Sequence, residues 1–138
     1  MEVKVQHLGK VKFAATTRGH RVICDQPAEN GGTDDGMTPP EFLLASLATC
    51  AGYYAAEYLK IRALLCEGLA VRVETEKAAQ PARLASFRIE VTTSALDERD
   101  QADVLRAVKR CLIHNTLLNA PQIDVALNAR HAQVLAAA

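Results

Sequence analysis

The chain has 138 residues, with 16 lysines and arginines against 16 aspartates and glutamates, so its formal net charge is zero. Hydrophobic residues make up 49% and charged residues 23%, which excludes an intrinsically disordered chain; the lack of a basic excess or basic run argues against nucleic acid as a partner. The length fits one domain over 1–138, but three Phe, three Tyr, no Trp and 24 alanines give it few large side chains, and so thin a core points to help from a second subunit.

Residues 2–25 alternate as strands. Val3, Val5 and Leu8 are followed by a turn at Gly9-Lys10, then Val11, Phe13 and Ala15, a turn at Arg18-Gly19-His20, and Val22-Ile23-Cys24. This pattern predicts a meander of two or three antiparallel strands. Residues 25–37, rich in Gly, Asp, Asn and Pro, read as a loop. A helix then starts sharply: Thr38 is a good N-cap, Pro39 suits the first helical position, and Glu41 completes a capping box. From Phe42 to Ala56 nothing is charged, which predicts a buried central helix of about 20 residues. The uncharged run is shorter than the ~20 residues a bilayer span requires, so no membrane crossing is expected.

Leu69, Val71, Val73 and Thr75 alternate with Arg72, Glu74 and Glu76; beyond Gln80-Pro81, Phe87, Ile89, Val91 and Thr93 do the same. The two segments predict an antiparallel hairpin. Asp97 can cap a second helix reaching about Leu112, with Val104, Leu105, Val108, Cys111 and Leu112 as its apolar stripe. A short turn or helix at 113–119 and a last strand through Ile123, Val125 and Leu127 complete an α+β order.

Four cysteines stand at 24, 50, 66 and 111, none in a Cys-x-x-Cys pair, and with four scattered histidines they offer no metal-ligand spacing. Met1-Glu2-Val3-Lys4 opens a polar alternating segment instead of an apolar leader, so a cytoplasmic, reducing location with free thiols is expected. Cys24 and Cys66 read as packing thiols. Cys50 and Cys111 fall on the apolar faces of the two predicted helices. They are either small core residues or a thiol pair in which one attacks a substrate and the other resolves the product as a disulfide. A reactive Cys50 lies about 18 Å past its helix start, beyond reach of the dipole, and needs a nearby cation. Arg18, Arg21, Arg62 and Arg110 are the candidates. Glu41 is about half a turn out of phase with Cys50 and reads first as a cap. His114, three residues after Cys111, can share its helix face as a proton donor or simply bond the backbone.

The run Gly31-Gly32-Thr33 through Thr38-Pro39-Pro40-Glu41-Phe42-Leu43-Leu44 to Thr49-Cys50 resembles the OsmC/Ohr family of osmotically inducible and organic hydroperoxide resistance proteins. Lys109-Arg110-Cys111-Leu112-Ile113-His114 resembles the family's second cysteine segment, and Arg18-Gly19-His20 with Asp25-x-Pro27 the opening of its OsmC-like branch. The resemblance implies an OsmC-like two-layer α+β fold, with antiparallel sheets around two long central helices in an intertwined homodimer. It also implies a thiol peroxidase for small organic hydroperoxides. Cys50 would be peroxidatic and Cys111 resolving, with Arg18 held by Glu41 as activating cation, no bound cofactor, and an external dithiol as reductant. A non-catalytic member that binds an apolar ligand or senses redox state is the alternative. Two features depart from the family pattern: Leu112 stands where proline follows the second cysteine, and Glu41 is one residue nearer its cysteine than in the hydroperoxide branch.

Overall fold

The computed structural model describes residues 1–129. Three antiparallel strands come first, β1 (Lys4–Gly9), β2 (Lys12–Thr17) and β3 (His20–Cys24), in the order β1-β2-β3. The β2–β3 connection is the two-residue loop Arg18-Gly19, with φ of 47° and 83°. Positive φ at both central positions is what a tight hairpin of right-handed twist requires, and the glycine supplies half of it at no steric cost.

The loop after β3 is folded back on itself around one carboxylate. Asp25 is 1% exposed. Its Oδ2 accepts from the Thr33 amide at 3.0 Å, the Thr33 hydroxyl at 2.9 Å and the Asp35 amide at 3.2 Å. Burial alone would raise its pKa, but the amides of Gln26, Asp35 and Thr33 and the Thr33 hydroxyl outweigh that and hold the carboxyl far below its usual range. The chain is so close here that a Cβ on Gly36 would lie 2.2 Å from the Ile23 carbonyl oxygen. Gly36→Ala is therefore expected to destabilise the protein by about 1–3 kcal/mol, because backbone must move to admit the methyl. Equilibrium urea unfolding at fixed protein concentration checks this, and an unchanged midpoint would refute it.

Helix α1 (Pro39–Ile61) follows at once. Glu41 Oε2 accepts from the Thr38 amide at 2.7 Å and from the Thr38 hydroxyl at 2.8 Å, tying down the helix entry. The hairpin β4 (Ala70–Ala79) and β5 (Ala82–Thr92) packs on one side of α1, and α2 (Glu98–Val108) packs beside it. The core is Ala51, Ala55 and Leu59 of α1 with Val104 and Val108 of α2, closed over by Val71, Ile89 and Val91 of the hairpin. The hairpin's other face is polar, with Arg72 paired to Glu74 and Glu90, and Arg88 to Glu90 at 2.9 Å. Asp97 caps α2, its Oδ1 accepting from the Asp100 amide at 2.7 Å, as its position before the apolar stripe predicts.

The structure departs from the sequence expectations in five places. The second helix stops at Val108, not near Leu112, so it is 11 residues against 23 in α1, and a pair of long helices is not what this chain builds. Cys111 stands at the N-cap of a separate α3 (Leu112–Leu118), and Leu105 and Leu112 of the expected stripe are exposed. Residues 121–129 form no strand: Ile123, Val125 and Leu127 are 80%, 93% and 91% exposed, because a strand without a neighbour has nothing to bond. Helix α1 buries one stripe only, Leu47, Ala51, Ala55 and Leu59, although its sequence is apolar all round. Cys66 is exposed and does not pack in the core. The β1–β3 sheet makes no substantial packing with any helix or with the hairpin, and Val5, Leu8 and Val22 are exposed on it. No helix among the described residues is long and apolar enough to cross a membrane.

Candidate active site

Helix α1 carries Cys50 at its midpoint, half-buried and one turn beyond Leu47. The turn at 109–111 ends α2 and turns the chain back so that α3 packs against α1. This places Cys111, fully buried, near Cys50, close enough for Cys50 to bear on its ionisation. Cys111 Sγ also accepts from the His114 amide at 3.4 Å, so the thiol itself is the N-cap of α3.

The two sulfurs are not equivalent. Burial pushes the Cys111 thiol pKa up, and the neighbouring Cys50 pushes it further, while the amides of His114 and Ile113 pull partly the other way. Cys111 is thus the sulfur held as a thiol. The amides around Cys111 are ready to support its own charge at a later stage. Both sulfurs are free thiols.

Arg18 is placed elsewhere. It sits in the β2–β3 turn, next to Glu2, Lys4 and Thr17. β3 runs from that turn toward Cys24, which bridges to Met37 just before α1, so Arg18 is at the far end, roughly 20 Å of extended chain away. The single chain does not bring it to Cys50. Glu41 is exposed at the helix entry, its carboxyl held below the ordinary range first by the Thr38 amide and then by the Thr38 hydroxyl. It lies about 13 Å along the axis from Cys50. Arg62, another candidate cation, is spent on Asp100 at 3.2 Å, whose carboxylate also receives the Tyr58 hydroxyl at 2.7 Å. The hydrogen bond to Asp100 pushes Tyr58 up to about 12. That cluster fastens α2 to the end of α1 and thereby fixes where Cys111 lies.

A cavity of about 670 Å³ opens between α1, β5, α2 and α3, lined by Leu43, Leu47, Phe87 and Leu117 with Lys109 and His114. Leu47 is one turn before Cys50 and His114 three residues after Cys111, so near neighbours of both cysteines line the cavity, although neither cysteine does. The sequence signal for it was the alternation of Phe87, Ile89 and Val91, which turns one face of β5 toward the helices; the cavity itself leaves no trace in the sequence.

A long capped helix laid on an antiparallel hairpin, with its one cysteine near a second at the start of another helix, defines an α+β protein with two neighbouring free thiols. Residues 32–126 match the family described as OsmC-like protein, and the chain belongs to the OsmC/Ohr family. Solved structures share the fold. A Psychrobacter arcticus protein assigned provisionally to the osmotic stress and detoxification response is 23% identical, covering 83% of this chain and 85% of its own, with a TM-score of 0.75. An OsmC-like protein of Mycoplasma pneumoniae is 18% identical (87% and 89% covered, TM-score 0.67). The organic hydroperoxide resistance protein OhrB of Bacillus subtilis is 20% identical (87% and 93% covered, TM-score 0.55). No curated protein sequence is similar enough to count as a relative.

Proposed function

We propose that the protein is a cysteine-based peroxidase that reduces organic hydroperoxides, with Cys50 peroxidatic and Cys111 resolving. The nearness of the two cysteines carries this reading: a disulfide needs the two side chains as neighbours, and Cys50 lies close enough to Cys111 to raise its pKa. The hydroperoxide resistance named for relatives in Bacillus subtilis and Legionella pneumophila supports the substrate class.

The Cys50 thiolate attacks the distal oxygen of ROOH. The O–O bond breaks, the departing RO⁻ takes a proton to give ROH, and Cys50 becomes a sulfenic acid. Cys111 then attacks that sulfur, its thiol proton leaves with the hydroxyl as water, and a Cys50–Cys111 disulfide forms. An external dithiol reduces the disulfide by exchange and is itself oxidised. The activating cation is assigned to the partner subunit's Arg18, delivered in a homodimer. The unpartnered β1–β3 sheet, the exposed stripe of α1 through Thr49, Tyr53 and Glu57, and the exposed alternation at Ile123, Val125 and Leu127 are surfaces that such a dimer would cover. Glu41 serves through the cap, by fixing the start of the helix that carries Cys50.

Mass spectrometry after one equivalent of cumene hydroperoxide tests the reading. A Cys50–Cys111 linkage is the expected product, and oxidation that leaves both thiols free would refute it. That second outcome is the one demanded by the other reading the cavity supports, a non-catalytic binder of an apolar ligand.

A further inference from the structure

The cavity between α1, β5, α2 and α3 has aliphatic and aromatic walls and three polar lining residues, Ser86, Lys109 and His114. Ser86 and Lys109 are exposed, and the Ser86 hydroxyl is directed to Glu76 on the hairpin's polar face. His114 alone of the three is withdrawn from solvent. Its Nδ1 is buried and has no hydrogen-bond partner. A buried acceptor without a donor is tolerated more readily than a buried N–H without an acceptor, so the ring proton belongs on the other nitrogen. With the Nδ1 edge shut in, the Nε2 edge is the one by which the ring lines the cavity. The result is one N–H donor in an apolar pocket, on the residue whose backbone amide already touches Cys111 Sγ at 3.4 Å. Pockets of this make-up bind by their walls and orient by such a donor.

We propose that His114 is the specificity-determining residue of this cavity: its Nε2–H donates to the oxygen of an apolar organic hydroperoxide, and of the alcohol formed from it, and so turns that oxygen toward the thiol end. The identity of the oxygen rests on the peroxidase reading; the cavity and its donor do not. A site built around a donor discriminates strongly against an analogue that lacks the acceptor. The walls alone would take a hydrocarbon as readily as an alcohol of the same shape.

The test uses two inert probes of nearly the same shape, cumyl alcohol and tert-butylbenzene, titrated into the reduced full-length protein with imidazole and methyl NMR signals as readout. Wild-type protein is expected to bind both, with cumyl alcohol shifting the His114 ring resonances. His114→Phe is expected to weaken cumyl alcohol about tenfold while leaving tert-butylbenzene within about twofold, and His114→Gln, which restores an N–H donor, to recover part of the loss. Equal weakening of both probes would show a packing role and overturn the proposal, as would unchanged binding of the alcohol or failure of wild-type protein to bind either probe. Thermal melts of both variants identify any loss of fold, and the glutamine variant reads the donor where phenylalanine disturbs packing. Neither probe reacts with thiols. A wild-type protein that binds them as expected but consumes no peroxide would therefore sink the peroxidase reading and leave the His114 assignment standing.

Discussion

Cys50→Ser is expected to lower dithiol-dependent consumption of cumene hydroperoxide by on the order of a thousandfold or more, the scale of loss when the nucleophile of a covalent mechanism is removed. The hydroxyl of serine is not appreciably ionised near neutral pH, and oxygen does not expand to an equivalent of the sulfenic acid. Cys111 cannot take over. It is fully buried, and burial pushes its pKa up and favours the thiol, the unreactive form. Cys111→Ser should behave differently. The first oxidation then proceeds, one equivalent of peroxide is consumed, turnover stops, and further peroxide carries Cys50 to the sulfinic acid. A ferric–xylenol orange assay for peroxide, with intact mass to count added oxygens, separates the two variants. A Cys50→Ser protein of full activity would end the assignment. Equal loss in both variants with no added oxygen on Cys50 of Cys111→Ser would leave the first step unassigned to Cys50.

The asymmetry of the two cysteines was not legible in the chain, whereas the elements that carry them largely were. Thr38-Pro39 with Glu41 announces a helix start through local chemistry alone, and the cap forms with the carboxylate that the spacing puts in reach. The same holds for Asp97 and for the alternation that builds β4 and β5, since both depend on neighbours a few residues apart or on one nearby turn. The end of α2 depends on something else. Val108, Cys111 and Leu112 keep helical spacing, so periodicity carries the helix onward; no glycine or proline interrupts it. The helix breaks because Cys111 adopts an extended backbone, with ψ of 128°, and offers its sulfur to the His114 amide as the cap of a new helix. Sulfur is a weak acceptor and not a usual cap, so residue type gave no warning. The strand expected through Ile123, Val125 and Leu127 failed for a different reason. Its alternation is real, but pairing is a long-range property, and residues 121–129 pair with neither of the two sheets among the described residues. Arg18 belongs with it: the residue type suits thiolate activation, but its place is set by the β2–β3 turn and not by the helix that carries Cys50.

Leu59→Ala is expected to cost about 2–5 kcal/mol, against less than ~1 kcal/mol for Ile61→Ala two residues on. Leu59 is 0% exposed and Ile61 79% exposed, so the same helix supplies both members of the comparison and propensity effects nearly cancel. Leu59 ends the stripe that begins with Leu47 and passes through Ala51 and Ala55, and it is the one large side chain among the α1 residues of the main core cluster. Small residues at 51 and 55 let the hairpin and α2 approach the helix closely, which leaves little freedom to refill the space a missing isobutyl group vacates. The end of α1 is also held from both sides. Tyr58 and Arg62 bind Asp100 on α2, and the Leu64 amide bonds back to the Leu59 carbonyl at 2.8 Å. A site pinned in this way collapses poorly around a cavity, which places the cost toward the upper part of the range. Urea unfolding at one fixed protein concentration is the measurement, because a dimer's stability depends on that concentration. A loss below ~1 kcal/mol for Leu59→Ala would contradict the core as described. A loss of 2 kcal/mol or more for Ile61→Ala would show that a second subunit buries the outer face of α1 at that point, which would move the dimer interface onto the helix that carries Cys50.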